Sequence, residues 1–127
     1  MRGILDTSVF IAEEQGRALA ADRLPDEAAI SVVTLAELEL GVHMASGEDV
    51  RARRLRTLQA LQQTYVALPI DAAVASAFAE LVATARRAGR RPKVHDTWIA
   101  ATARAYGATV FSQDSDFDEL AVEVVRV

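Results

Sequence analysis

The amino-acid sequence predicts an α/β protein in which helices cover both faces of a mostly parallel central sheet. Two observations carry this prediction. Short apolar runs typical of strands alternate along the chain with longer segments whose apolar residues recur at helical spacing. No linker, repeat or low-complexity stretch interrupts the alternation. The whole chain, residues 1–127, is therefore predicted to form one domain.

The first half of the chain supplies two strands and three helices. Residues 2–6 read as a short apolar strand, followed by a helix over residues 7–15. A second strand is predicted at 29–33. Thr34 then resembles the cap of a helix that ends near a Ser-Gly pair. Residues 48–63 carry leucines at helical spacing with arginines between them, which indicates an amphipathic helix.

The second half continues the alternation. Residues 65–70 alternate apolar and polar side chains, as in a strand, and an alanine-rich helix is expected over 71–88. A further helix is predicted at 96–106. Strands are predicted at 108–112 and 122–127, with an acidic turn between them.

Composition limits the classes of function. The chain has no cysteine, which excludes disulfides and thiolate metal sites. No stretch approaches the roughly 20 apolar residues of a membrane span, and no signal-peptide pattern is visible, so we expect a cytoplasmic protein. The formal net charge of −4 argues against a broad, nonspecific grip on nucleic acid but leaves room for a local basic patch.

Four acidic residues fall where predicted strands end or helices begin: Asp6, Glu37, Asp96 and Asp114. Ligands of open α/β sheets bind beyond the carboxyl ends of the strands. All four side chains are therefore expected to line one crevice. Such an all-oxygen cluster suits a hard divalent cation, Mg²⁺ or Mn²⁺.

Each acid also has a purely structural explanation. Thr34 and Glu37 have the spacing of a capping box. Asp6 and Asp96 are in positions where a helix N-cap is common, and Asp114 is of a residue type that forms turns. For any single residue, a cap or turn role explains the acid at least as well as a metal site does. Four acids at one edge of the sheet together favour a metal site.

Four segments resemble the ordered signature of PIN-domain nucleases, particularly the bacterial VapC-type toxins. They are Leu-Asp-Thr-Ser at 5–8, Thr-Leu-Ala-Glu-Leu at 34–38 with Gly41, Asp-Thr-Trp-Ile-Ala-Ala-Thr-Ala at 96–103, and Ser-Gln-Asp-Ser-Asp-Phe at 112–117. The resemblance implies a three-layer α/β/α PIN-like fold and a magnesium-dependent endoribonuclease. It also implies a cognate VapB-type antitoxin, an RNA substrate such as a tRNA or rRNA loop, and a homodimer.

The resemblance also implies a role for individual residues. Asp6, Glu37, Asp96 and Asp114 match the family's acidic quartet, with Asp116 as an additional acid. The predicted metal ligands are Asp6, Asp96, Asp114 and Asp116, with Glu37 orienting water, and the hydroxyls expected to organise the metal shell are those of Thr7, Ser8 and Ser112. His95 is given no role.

Residues that contact RNA are predicted from charge alone. Arg90, Arg91 and Lys93 lie shortly before Asp96 and are candidates for binding RNA phosphates. A solvated helix end explains the neighbouring Arg86 and Arg87 equally well.

Two other functions remain as alternatives. One is a PIN-like binding module that has lost turnover, and the other is a receiver-like signalling domain that binds magnesium. A receiver would need adjacent acids after its first strand and a lysine after a late one. The chain has a lone Asp6 and no lysine near Ser112, which disfavours the receiver.

Overall fold

A five-stranded sheet lies between two layers of helices in the computed structural model, which describes residues 2–127. In chain order the elements are β1 (Arg2–Leu5), α1 (Thr7–Glu14), β2 (Glu27–Ser31), α2 (Val32–His43), α3 (Glu48–Thr64), β3 (Ala67–Leu68), α4 (Ala72–Arg87), α5 (Val94–Ala105), β4 (Thr109–Ser112) and β5 (Val124–Arg126). Short 3₁₀ turns occupy Ala21–Arg23 and Asp116–Glu119.

The strand order places the first strand at the centre. It runs β3-β2-β1-β4-β5, and each of the four pairings is parallel. The chain therefore winds outward from β1 in one direction and returns to add β4 on its other side. The carboxyl ends of β1 and β4 are neighbours at this reversal, which is where open α/β sheets bind ligands. These findings confirm the predicted three-layer α/β/α fold.

Alternating side chains of the central strands build two cores. Ile4 and Val110 pack on one face of the sheet with α4 and α5. Leu5 and Phe111, the next residue of each strand, pack on the opposite face with α1 and α3. A parallel sheet buried on both faces needs apolar residues at successive positions, as these strands have.

Gly3 in β1 is required by a close approach of side chains. A Cβ atom at this position would lie 2.5 Å from Cγ of Pro25 and 2.6 Å from Cε1 of Phe111. Phe111 is a buried core residue of β4, so any larger residue at position 3 would have to displace it.

The structure corrects the predicted start of α2. The helix begins at Val32, and its N-cap is Ser31, whose Oγ accepts a hydrogen bond from Val33 N at 3.1 Å. The β-branched pair Val32-Val33 had indicated a strand. Thr34 is a buried residue inside the helix and not its cap, so the predicted capping box with Glu37 is wrong. A capping role no longer explains that glutamate.

Other boundaries also differ. Helix α5 begins at Val94, which puts Asp96 in its first turn and not at its N-cap. Strand β3 at the sheet edge has two residues where six were predicted, and β5 has three where six were predicted. Asp71, where the helix was predicted to begin, is the N-cap of α4, its Oδ1 accepting a hydrogen bond from Val74 N at 2.9 Å. Among the described residues, no helix is both long and apolar enough to cross a bilayer.

Candidate active site

The four predicted acids face one cleft of about 480 Å³ at the carboxyl edge of the sheet. Asp6 follows β1 directly, and Asp114 lies two residues beyond β4. Glu37 comes from the second turn of α2 and Asp96 from the first turn of α5. The same cleft is lined by Thr7, Ser8, Lys93, His95 and Asp116. The convergence expected from the fold is therefore present.

Asp6 is the most deeply buried acid of the cleft, only 3 % exposed. It caps α1 by accepting a hydrogen bond from Ser8 N at 3.3 Å, so its predicted structural role is real. Ser112 Oγ donates to its Oδ2 at 3.0 Å. Burial raises the pKa of Asp6, the charge of Asp114 adds to the rise, and hydrogen bonds from Ser8 and Ser112 oppose it. The capping role of Asp6 alone does not explain why its carboxyl group is buried close to the carboxyl group of Asp114.

Hydroxyl groups connect the ends of β1 and β4. The Oγ atoms of Ser8 and Ser112 lie 3.2 Å apart, and Ser8 Oγ accepts a hydrogen bond from Gln113 N at 3.0 Å. Asp114 N donates to Ser112 Oγ at 3.2 Å. This network fixes the spacing of Asp6 and Asp114 before any ligand arrives.

Glu37 is held from two sides. Thr7 Oγ1 donates to its Oε1 at 2.7 Å, and Thr7 Oγ1 is also 3.0 Å from Thr34 Oγ1. Nδ1 of His95 is 3.6 Å from the other carboxylate oxygen, Oε2. Thr7 thus sets the position of Glu37, and His95, which sequence reasoning left without a role, flanks it.

The carboxyl group of Asp96 has one oxygen without a hydrogen bond. Its Oδ2 is buried and has no hydrogen-bond partner within the described chain. Burial raises the pKa of Asp96 to about 7, and the charges of Asp6, Asp114, Asp116 and Glu37 contribute to the rise. A buried carboxylate oxygen without a donor is rare and is a mark of a ligand-binding or catalytic position.

Asp116 and Lys93 form an ion pair in the cleft. Asp116 N donates to Asp114 Oδ1 at 3.1 Å, so Asp114 also serves as the predicted turn former. Lys93 Nζ donates to Asp116 Oδ2 at 2.8 Å. This bond, with the neighbouring acids, raises the pKa of Lys93. The ammonium group therefore faces the acids, whereas the sequence had suggested a phosphate contact.

The donor set fits a hard divalent cation. The converging acids and hydroxyls offer oxygen, and a cation would both pair with Asp96 Oδ2 and relieve the mutual repulsion of the acids. Within residues 2–127, no three acidic or histidine side chains form a ready-made ligand set. Mg²⁺ does not require one, because it keeps several waters and takes one or two carboxylates directly.

Comparison with known families decides the assignment. The PIN-domain family model matches residues 3–123. The chain belongs to the PIN-domain family. Within that family it groups with the VapC proteins. It is 45 % identical to Ribonuclease VapC5 of Mycobacterium tuberculosis, spanning 98 % of this chain and 95 % of that protein, and 47 % identical to Ribonuclease VapC4 of the same organism, spanning 99 % and 97 %.

The fold of this PIN domain also matches a solved structure. The crystal structure of VapBC-5 from Mycobacterium tuberculosis, a member of the VapBC family of toxin-antitoxin systems, superposes with a TM-score of 0.91. The matched chain is 42 % identical, with coverage of 99 % of this chain and 98 % of that one. The PIN-domain assignment leaves the receiver-like alternative without support.

Proposed function

We propose that this PIN-domain protein is a magnesium-dependent endoribonuclease and the toxin of a toxin-antitoxin pair. The observation that carries the proposal is the cleft lined by four acids, one of which, Asp96, has a buried Oδ2 without a hydrogen-bond partner among the described residues. The ribonuclease names of the VapC5 and VapC4 relatives support the same reaction class.

Asp6, Asp96 and Asp114 would hold the metal ion, with Asp116 as an additional acid at the cleft mouth. The ion, when bound, would supply counter-charge for the scissile phosphate and lower the pKa of an attacking water. Manganese would be able to replace magnesium, because it accepts the same oxygen ligands.

The other residues of the cleft position these groups. Thr7 holds Oε1 of Glu37 at 2.7 Å, so that Oε2 can orient the attacking water and accept its proton. Ser112 donates to Asp6 and lies 3.4 Å from Oδ1 of Asp114. Ser8 ties that segment to the start of α1. Glu37, Asp6 and Asp114 are thus held by hydrogen bonds before substrate binds, which lowers the reorganisation needed during reaction.

A small VapB-type antitoxin is the proposed partner. The matched VapBC-5 structure is of a member of the VapBC family of toxin-antitoxin systems. An exposed acidic cleft attracts cations, and an arginine can bind carboxylates bidentately. We therefore expect an arginine of the antitoxin to enter the cleft and exclude the metal. The toxin itself is proposed to be a homodimer in the cytoplasm.

Cleavage of RNA by the purified protein tests the reaction. Wild-type protein is expected to cut total RNA in Mg²⁺ or Mn²⁺ and to stop when EDTA is added. Asp6→Asn, Asp96→Asn and Asp114→Asn should each lower the rate by about 100-fold or more, on the order of 3 kcal/mol in barrier. Asp118→Asn, which alters an exposed acid paired with Arg126 outside the cleft, should cut normally.

The same assay separates the enzyme from a binding module without turnover. Folded wild-type protein that binds RNA but leaves it intact in Mg²⁺ would support the binding module. Undiminished cleavage in excess chelator would instead remove the metal mechanism.

A further inference from the structure

A second groove, of about 640 Å³, adjoins the acidic cleft. It lies between the end of α4 and the start of α5. Its walls combine apolar Phe78, Val82 and Val94 with Arg86, Arg90 and Arg91. Among the described residues that line it, none is acidic. In a chain whose formal net charge is −4, three arginines around one apolar groove are a marked local concentration of positive charge.

The groove and the acidic cleft adjoin each other at Val94. Val94, which is 60 % exposed, lines both of them. Arg91 also borders a smaller depression that includes Lys93 and Asp116 at the mouth of the cleft. A strand that leaves the acidic cleft over the exposed Val94 would therefore meet the arginine-lined groove next.

The charges in the groove are available to a ligand. Arg86, Arg90 and Arg91 are all exposed. Arg90 Nη1 donates to the Glu119 carbonyl at 3.4 Å, which orients the side chain and leaves other donors of its guanidinium for a phosphate. Lys93 differs, because its ammonium is bonded to Asp116.

The apolar wall includes a rigid aromatic surface. The rings of Phe78 and Trp98 stack with centroids 3.7 Å apart and planes inclined by 16°. Phe78 and Trp98 both pack against the core, so the stacked Trp98 ring limits the movement of the Phe78 ring. Arginines beside an aromatic ring are the combination that single-stranded nucleic acid binds, through phosphate contacts and base stacking.

We propose that this groove binds a single-stranded segment of the RNA substrate next to the scissile phosphate. Arg86, Arg90 and Arg91 bind its phosphates, and Phe78 and Val94 contact its bases. The proposal rests on the proposed ribonuclease function and extends it. It replaces Lys93 with Arg86 in the set of RNA-binding residues expected from the sequence.

Salt-dependent binding tests the groove without requiring turnover. The probe is a fluorescein-labelled oligouridine of about 12 nucleotides, bound to the Asp96→Asn protein in EDTA at about 50 to 200 mM salt. The groove variant carries Arg86→Gln, Arg90→Gln and Arg91→Gln together in this Asp96→Asn protein. A matched control carries Arg17→Gln, Arg51→Gln and Arg56→Gln, three exposed arginines outside the groove.

The groove variant should bind at least 10-fold more weakly at the lowest salt. The slope of log K against log salt should fall by about 2, since each phosphate neutralised on a single strand contributes about 0.7. In the control variant, the loss of affinity and the fall in slope should each be less than half of those in the groove variant. Equal losses in the two variants would overturn the proposal.

Two further results would separate the groove proposal from the proposed ribonuclease function. In the first, wild-type protein fails to cleave RNA while the groove variant still has a smaller slope of log K against log salt. That result would support RNA binding by the groove and contradict the proposed ribonuclease activity. If the groove variant binds oligouridine normally but no longer co-purifies with the product of the adjacent gene, the groove is a protein-binding surface and the RNA proposal is wrong.

Discussion

Asp96→Asn is expected to make the metal-free protein more stable while lowering the cleavage rate in Mg²⁺ by about 100-fold or more. The carboxylate of Asp96 is forced into a site where burial and four neighbouring acids raise its pKa from 3.8 to about 7. In the folded protein it therefore binds a proton at pH values where the unfolded chain has released it. Stability from this group is present at low pH and is lost as the pH rises from about 4 through 7.

The magnitude follows from the shift. Each pKa unit corresponds to about 1.4 kcal/mol, so the full rise would cost on the order of 4 kcal/mol at neutral pH. Asp96 is half-buried, and solvent screening reduces this to about 1 to 2 kcal/mol. Asparagine keeps the shape and removes the charge. The free energy of unfolding in EDTA should therefore rise by about 1 to 2 kcal/mol at pH 8, which raises the Tm by about 3 to 8 °C.

Thermal unfolding in EDTA at pH 5 and pH 8 measures this. The difference should be smaller at pH 5, where the folded protein still binds the proton but the unfolded chain has largely released it, and largest at pH 8. Asp118→Asn, which changes an exposed acid outside the cleft, provides the control and should show no such gain in stability. Addition of Mg²⁺ at pH 8 should stabilise the wild type more than the variant. A variant less stable than wild type at pH 8 in EDTA would refute the reasoning, because the acid would then be stabilising as a charge.

Three other substitutions give separate outcomes. Thr7→Val removes the donor that holds Glu37 and should lower the single-turnover cleavage rate by about 10-fold with Mg²⁺ affinity unchanged; a change in Mg²⁺ affinity alone would place Thr7 in the metal shell instead. Lys93→Met removes the cation beside Asp116 and should tighten Mg²⁺ binding several-fold by calorimetry; weaker binding would contradict the competition between ammonium and metal. Gly3→Ala should cost about 1 to 3 kcal/mol in urea unfolding, because its Cβ has no room; an unchanged midpoint would mean that the strand shifts freely.

The sequence predicted the order and type of the sheet and α-helical elements because local patterns determine them. Apolar runs and helical spacing located all five strands and all five α-helices among residues 2–127. Boundaries failed where tertiary packing overrides propensity. Val32 and Val33 favour a strand by residue type, yet Ser31 starts the helix there by capping it. The 3₁₀ turn at Asp116–Glu119 was predicted only as an acidic turn.

The acids of the candidate site were also accessible from the sequence, since each follows a strand or begins a helix at one sheet edge. Their partners were not. The bond from Thr7 to Glu37 spans 30 residues, and that from Ser112 to Asp6 spans 106. Such contacts depend on strand order, which the sequence pattern did not specify. The contact between Lys93 and Asp116 likewise depends on how the loop before α5 meets the 3₁₀ turn.

Lys93 has a practical consequence for work on this protein. It is the sole lysine among thirteen arginines, and its side chain is 72 % exposed at the rim of the cleft. Amine-reactive dyes and surface-coupling reagents will therefore attach, apart from the α-amino group, at the mouth of the acidic cleft. Protein immobilised in this way would present a blocked cleft to its ligands, whereas a small environment-sensitive dye on Lys93 would report directly on what enters it.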